Sequence, residues 1–156
     1  ESEARKSAVL EGALDSIVSM DEEGRITEFN RAAEATFGYS RAEAIGQPLD
    51  ELLIPPPYRE RHRQGRLRFM ASGQSEILGR RLELPAQRRG GEEFPAEVSI
   101  VASSLQGRPV FTGFIRDLTA QKVAEQERLR GLRLEQESAR ARGETPEERV
   151  SRQHVA

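Results

Sequence analysis

The chain contains no cysteine and only two histidines, and aromatic residues make up just 5% of it. The absence of cysteine excludes disulfides, zinc–thiolate sites, iron–sulfur clusters and cysteine nucleophiles. His62 and His154 are left as the only imidazole ligands. Glycine-rich phosphate loops, nucleophile elbows and metal-ligand spacings are also missing. We therefore expect a non-catalytic domain without a metal site.

Long apolar runs and a strong net charge are missing as well. The 156 residues carry a formal net charge of -2, which gives no general attraction for nucleic acid or for anionic membranes. No apolar run approaches the roughly 20 residues that cross a bilayer. Residues 1–6 do not resemble a secretion signal. The composition predicts one small, soluble, cytoplasmic domain with extensions.

The first half of the chain predicts a hairpin followed by helices. Residues 16–20 and 25–29 have the composition of two strands, joined by a tight turn at Gly24. Asn30 follows as an N-cap, and Gly38 ends the helix that begins there.

Two more helices are predicted before the pattern changes. Ser40 and Glu43 have the spacing of a capping box, which opens a short helix. The prolines at 55–57 suit the first turn of a longer helix, which we expect from about Pro57 to Ala71.

From Ile77 onward, apolar residues recur at every second position. Residues 81–84, 94–100 and 110–117 predict three strands of an antiparallel meander, separated by glycine-containing turns. Together with the hairpin, they predict an α+β fold in which short helices cover one face of a five-stranded antiparallel sheet. The other face is left for flanking helices of the same chain or of a second copy.

Both ends of the chain are predicted to lie outside this domain. The expected boundaries are an N-terminal flanking helix at 1–14, the domain at 15–119, a C-terminal helix at 120–142 and a flexible tail at 143–156. Asp117 and Thr119 can cap the first turn of the C-terminal helix, so that strand end and helix start form one rigid corner. The alternative is a last strand that runs into an ordinary linker.

Four segments resemble the PAS family of sensory domains, across roughly residues 8–119. They are Met20–Glu34, Phe37–Pro48, Gly91–Ile100 and Phe114–Thr119. The resemblance implies a PAS fold with a ligand cavity between sheet and helices. It also implies a sensory module of a larger bacterial signal-transduction protein, such as a two-component histidine kinase. Dimerisation through flanking helices and a downstream output domain in the same protein are further implications.

The last of these segments resembles the Asp-Ile-Thr motif of the family, with Leu118 in place of isoleucine. In PAS proteins this motif couples the core to the outgoing helix. The resemblance therefore implies that Arg116, Asp117 and Thr119 take part in signal coupling.

The segment around His62 is similar to oxygen-sensing haem PAS domains of the FixL type, in which a histidine at the matching position binds the iron. A neutral imidazole in an apolar pocket is what haem iron requires. The arginine that contacts bound oxygen in those proteins corresponds to Leu82, and Arg81 lies on the opposite face of the strand. Haem is thus a candidate cofactor, and the alternative is an imidazole that hydrogen-bonds locally. A flavin–cysteine adduct is excluded because the chain has no cysteine.

Two classes of function follow from these patterns. A ligand-sensing module would hold a small molecule in a cavity, with these candidate lining residues: Phe69, Ile77, Leu82, Val98 and Ile100. A haem-based gas or redox sensor through His62 is a special case of that class. The second class is a ligand-free interaction or dimerisation module with a filled core.

Overall fold

An antiparallel sheet with helices inserted between its second and third strands forms the main part of the structure. The structure is a computed structural model, and it describes residues 15–73, 75, 78–143 and 145–155. The chain divides into two compact units, Glu1–Leu118 and Thr119–Ala156. The strands, all in the first unit, are β1 (Ser16–Met20), β2 (Ile26–Phe29), β3 (Arg81–Gln87), β4 (Glu93–Leu105) and β5 (Arg108–Asp117).

Four helices lie between β2 and β3 along the chain, and two more form the second unit. The four are α1 (Arg31–Phe37), α2 (Arg41–Ala44), α3 (Leu49–Leu53) and α4 (Pro56–Ser72). The second unit contains α5 (Thr119–Ala141) and α6 (Pro146–Val155). None of the helices that the structure describes is long and apolar enough to span a membrane.

The five strands form one sheet in the order β2-β1-β5-β4-β3, and the pairs along it are antiparallel. Because side chains alternate across a strand, Phe94, Ala96, Val98 and Ile100 of β4 share one face. We call it the inner face, since Phe94 and Ala96 join residues of α1, α2 and α3 in the core. The Phe37 ring of α1 lies 6.2 Å from Phe29 and 5.7 Å from Phe94, centroid to centroid.

Asn30 joins the hairpin to the first helix. Its buried Oδ1 accepts hydrogen bonds from the backbone N–H groups of Ile17 at 2.9 Å and Ala33 at 3.0 Å. Its Nδ2 donates to the carbonyl of Asp15 at 3.1 Å. One side chain thus satisfies a strand N–H and caps α1, which fixes the direction in which the helices leave the sheet.

The predicted α+β fold with a five-stranded antiparallel sheet is confirmed. The structure also shows the caps at Asn30 and Gly38 and the capping box of Ser40 and Glu43. Helix α4 ends at Gly73, which has a φ of 72° that suits glycine. Helix α3 was not predicted, because five residues are too few to show a helical period.

The predictions for the two terminal segments have different outcomes. The predicted helix at 1–14 lies outside the described residues. The predicted tail at 143–156 contains α6, which begins with a capping box of Thr145 and Glu148. The expected flexibility of this tail and the proposed domain boundaries stay predictions.

Candidate functional site

Helix α4 turns an unusually polar side towards the rest of the domain. The structure describes all 17 of its residues, and none of them is fully buried. The partly buried ones recur at helical spacing and form one stripe: Arg59, His62, Gly65, Arg66 and Phe69. We call this set the inward stripe of α4. Only Phe69 in it is apolar, whereas Tyr58, Leu67 and Met70 are exposed.

The inner face of the sheet is left partly uncovered at β3 and β4. Leu82 pairs with Val98 across the two strands, and Ile100 lies two residues further on the same face. All three are only partly buried, and Leu84 is 38% exposed. This partial exposure shows that the helical layer buries this part of the inner face incompletely.

Helix α4 crosses this uncovered region. At its C-terminal end the Phe69 ring packs edge-on against Phe111 of β5, with 5.1 Å between centroids. At its N-terminal end Tyr58 lines a concavity together with Leu84 and Phe94. The space between the inward stripe of α4 and the inner face of β3 and β4 is the candidate site, and we call it the cleft.

The best-formed concavities of the described residues lie at the mouth of the cleft and outside it. The concavity at Tyr58 has a volume of about 400 Å³ and lies at its mouth. Another concavity, of about 230 Å³, lies on the outer face of the sheet around Phe114. These are the two best-formed concavities of the described residues, and neither is lined by Val98, Ile100 or His62.

His62 occupies the middle of the inward stripe. Its Nδ1 atom is buried and has no hydrogen-bond partner among the described residues. Burial lowers the pKa of His62 below its ordinary value, Asp50 opposes this shift and Arg66 adds to it. The neutral imidazole is therefore favoured, and the local hydrogen bond of the alternative interpretation is not made at Nδ1.

The predicted lining residues fall into three groups. Leu82, Val98 and Ile100 lie together on the inner face, and the Phe69 ring packs against Phe111 of β5. Ile77 lies outside the described residues. Arg81 points to the outer face as expected, where its Nε atom is 3.8 Å from Glu97. Among the described residues, no group of three acidic or histidine side chains is arranged to hold a metal ion.

The predicted coupling residue Asp117 is bound by an arginine that the sequence did not single out. Arg88 donates from Nη2 to Oδ2 of Asp117 at 2.7 Å. The same guanidinium donates to the carbonyl of Thr36 in α1 and to Glu92, each at 2.8 Å. It also stacks 4.0 Å above the centroid of the buried Phe94 ring. Arg88 therefore ties α1, the β3–β4 turn and the end of β5 together.

Arg89 makes a second connection from the same turn. Its backbone N–H donates to the carbonyl of Phe37 at 2.8 Å, and its guanidinium binds both carboxylate oxygens of Glu43. Bidentate pairing with Arg89 lowers the pKa of Glu43 to about 2. The adjacent arginines before the Gly90-Gly91 turn are the only sequence signal that could have pointed to this pair of contacts.

The other two coupling residues have different surroundings. Thr119 is the first residue of α5. Arg116 lies on the outer face, where its Nε is 3.3 Å from Asp15 and its Nη1 is 3.9 Å from Glu97. Asp117 connects directly to the β3–β4 turn through Arg88.

Comparison with known families matches residues 4–118 to the model of the PAS fold. The chain belongs to the PAS family. It is 37% identical over 133 residues to the sensor protein FixL of Bradyrhizobium diazoefficiens, covering 85% of this chain and 26% of that protein. It is 28% identical over 123 residues to the oxygen sensor protein DosP of Escherichia coli, covering 79% of this chain and 15% of DosP.

A solved PAS domain supports the same fold. The crystal structure of a PAS domain from Colwellia psychrerythraea matches with a TM-score of 0.63 and 23% identity, covering 77% of this chain and 99% of that one. The chain spans about a quarter or less of the curated relatives named above. This PAS domain is thus related to the sensory domains of signal-transduction proteins.

The depressed pKa of His62 predicts a pH dependence of stability. Because the folded state resists protonation of His62, stability should fall as the pH drops below about 6.5, the ordinary pKa of a histidine in an unfolded chain, and level off below the lowered folded pKa. One group can contribute at most about 1.4 kcal/mol per pH unit. Urea unfolding at a series of pH values measures this slope.

His62→Gln is the matched variant, since glutamine cannot titrate. We expect a shallower loss of stability between pH 6.5 and 5 in His62→Gln than in the wild type. Identical slopes for the two proteins would contradict a buried, neutral His62.

Proposed function

We propose that this PAS domain is a non-catalytic sensory module of a bacterial, cytoplasmic signalling protein. It senses a small ligand in the cleft between α4 and the inner face of β3 and β4. An output domain of the same protein receives the signal through α5. The relationship to FixL and DosP supports the sensory role.

The uncovered inner face is the observation that carries the ligand-sensing proposal. Leu82, Val98 and Ile100 are aliphatic and only partly buried, although they lie on the core side of the sheet. Each Å² of their apolar surface that stays in contact with water lacks the roughly 25 cal/mol that its burial would add to stability. A bound apolar molecule would recover that free energy.

The contacts of Arg88 support the proposed route of the signal. A ligand that displaced the helical layer would act on α1, whose Thr36 carbonyl binds Arg88. Arg88 in turn binds Asp117, two residues before α5 begins. Asp117 is thus proposed to transmit the signal, and Arg116 and Thr119 flank it.

Dimerisation through the flanking helices is a further part of the proposal. Helix α5 exposes four large apolar side chains: Val123, Leu129, Leu132 and Leu134. Burial against the same helix of a second chain would remove this surface from water. The N-terminal segment 1–14 is proposed to take part in the same contact.

Haem is a second candidate ligand, favoured by the state of His62. Iron coordination requires a neutral imidazole, and burial favours that form of His62. The buried Nδ1 of His62 has no hydrogen-bond partner among the described residues, so no hydrogen bond at this atom fixes the orientation of the ring. Coordination of iron would fix it instead. His62 would hold the group, with Leu82, Val98 and Ile100 against its apolar surface. Bound haem would supply an iron centre able to take up a diatomic gas.

Native mass spectrometry of the purified protein tests the main proposal. The expected mass is that of two chains plus a non-covalently bound small molecule. Val98→Gln should lose the bound molecule and remain a dimer, because it places a polar amide on the apolar wall. A wild-type protein that carries nothing would favour the ligand-free interaction module, and a monomer at high concentration would contradict the proposed pairing.

Absorbance spectroscopy tests the haem candidate. Protein expressed with haem supplied should show a Soret band that is lost in His62→Ala, since this removes the proposed iron ligand. His154→Ala is the matched control and should keep the band. Wild-type protein without a Soret band would contradict the haem proposal. The mass measurement would still test the small-ligand proposal.

A further inference from the structure

Helix α4 is held against the domain by polar contacts to backbone carbonyls. Arg59 donates from Nε to the carbonyl of Ile54 at 2.8 Å and from Nη2 to that of Glu51 at 3.2 Å. These contacts join the first turn of α4 to α3. Arg66, two turns later, donates from Nη1 to the carbonyl of Glu22 at 2.7 Å. Arg66 thereby joins the C-terminal half of α4 to the β1–β2 turn.

The β1–β2 turn is a firm anchor for Arg66. Asp21 closes it, because its Oδ1 accepts from the N–H groups of Glu23 and Arg25, and its carbonyl accepts from Gly24. The carbonyl of Gly24 also accepts from the N–H of Leu49 at 2.9 Å. The turn is therefore bound to the first residue of α3, which gives the Glu22 carbonyl a support that does not depend on α4.

Gly24 has no side chain, which leaves room for the guanidinium of Arg66. It is buried, with a φ of 83°, and a Cβ atom placed on it would lie 3.0 Å from Nε of Arg66. A larger residue would therefore be strained and would also push against the guanidinium. The close fit of Gly24 and Arg66 distinguishes this contact from the exposed pairs on the same helix, such as Arg63 with Glu60.

We propose that Arg66 is a latch that keeps α4 closed over the cleft, and that its release lets the C-terminal half of α4 swing about the Arg59 anchor and open the ligand site. The latch is the contact of Arg66 with the Glu22 carbonyl and Gly24. This inference rests on the proposed function for the identity of the site beneath α4, but not for the movement of α4 itself.

Two observations support a moving helix. Apolar packing contributes little to holding α4. Phe69, the one large apolar residue of its inward stripe, packs against Phe111, and no residue of the helix is fully buried. The buried Nδ1 of His62, in the middle of the inward stripe, has no hydrogen-bond partner among the described residues and so adds no polar contact that holds α4. Segments with few buried apolar contacts open locally more easily than the core does.

Limited trypsin digestion of the full chain tests the latch, because α4 carries its own cleavage sites. Arg66→Met keeps the length of the side chain and removes the donor. We expect cleavage after Arg61 and Arg68 to become about tenfold to a hundredfold faster, as loss of a charged hydrogen bond predicts. Arg66→Lys retains a charged donor and should give an intermediate rate.

Arg63→Met is the matched control on the same helix. Arg63 is exposed and pairs only within α4, so this variant should be cleaved at the wild-type rate after Arg61 and Arg68. Cleavage of Arg66→Met at the wild-type rate would overturn the latch. The urea midpoint of each variant, which should stay close to that of the wild type, separates local opening from global unfolding.

Binding of the dye anilinonaphthalene sulfonate separates the latch from the proposed ligand site. If α4 covers the apolar wall, the native Arg66→Met protein should bind severalfold more dye than the wild type, and Val98→Gln should reduce the increase. Faster cleavage without extra dye binding would support the latch but would contradict an apolar site beneath α4. Normal cleavage would contradict the latch, whatever ligand the mass measurement finds.

Discussion

The guanidinium of Arg88 is the interaction on which the arrangement of this domain depends. It lies on the buried ring of Phe94 and binds Thr36 in α1, Glu92 in the β3–β4 turn and Asp117 at the end of β5. A partly buried guanidinium is stabilised only when its donors are paired. The three elements are thus constrained together, because moving one of them would leave a charged donor without its acceptor. In this PAS domain the helical layer and the exit strand are therefore mechanically connected through one side chain.

The candidate site lies where the helical layer is least apolar. Helices α1, α2 and α3 contribute Phe37, Ala44 and Leu53 to the core, whereas α4 contributes no buried residue. Its inward stripe instead contains two arginines and a histidine, and both arginines bind backbone carbonyls outside the helix. Such a combination is poor packing for a purely structural helix and suits a mobile cover over a ligand site. The core contacts of the helical layer thus come from α1, α2 and α3, whereas the proposed ligand site lies under α4.

The sequence predicted the local features well and the long-range polar contacts poorly. Asn30, the Ser40–Glu43 capping box and Gly73 were predictable because caps depend on neighbouring residues, and strand alternation placed Leu82, Val98 and Ile100 on one face. Arg88 was missed, because its Thr36 partner is 52 residues away and leaves no periodic signal. The contact of Arg66 with Glu22 spans 44 residues and was missed for the same reason. Strand alternation placed Val98 on the inner face, whereas its role in a cavity stays a prediction. The many arginines of α4 are visible in the sequence, but the carbonyls that Arg59 and Arg66 bind became known only from the structure.

Amide hydrogen exchange at Leu118 tests the role of Arg88 most directly. The N–H of Leu118, the residue before α5, donates to the carbonyl of Pro95 in β4 at 2.9 Å. If Arg88 holds the end of β5 through Asp117, Arg88→Met should speed exchange at Leu118 about tenfold and leave β1 and β2 unchanged. Arg89→Met, which breaks the neighbouring contact with Glu43, should not affect Leu118. Unchanged exchange at Leu118 in Arg88→Met would contradict the account.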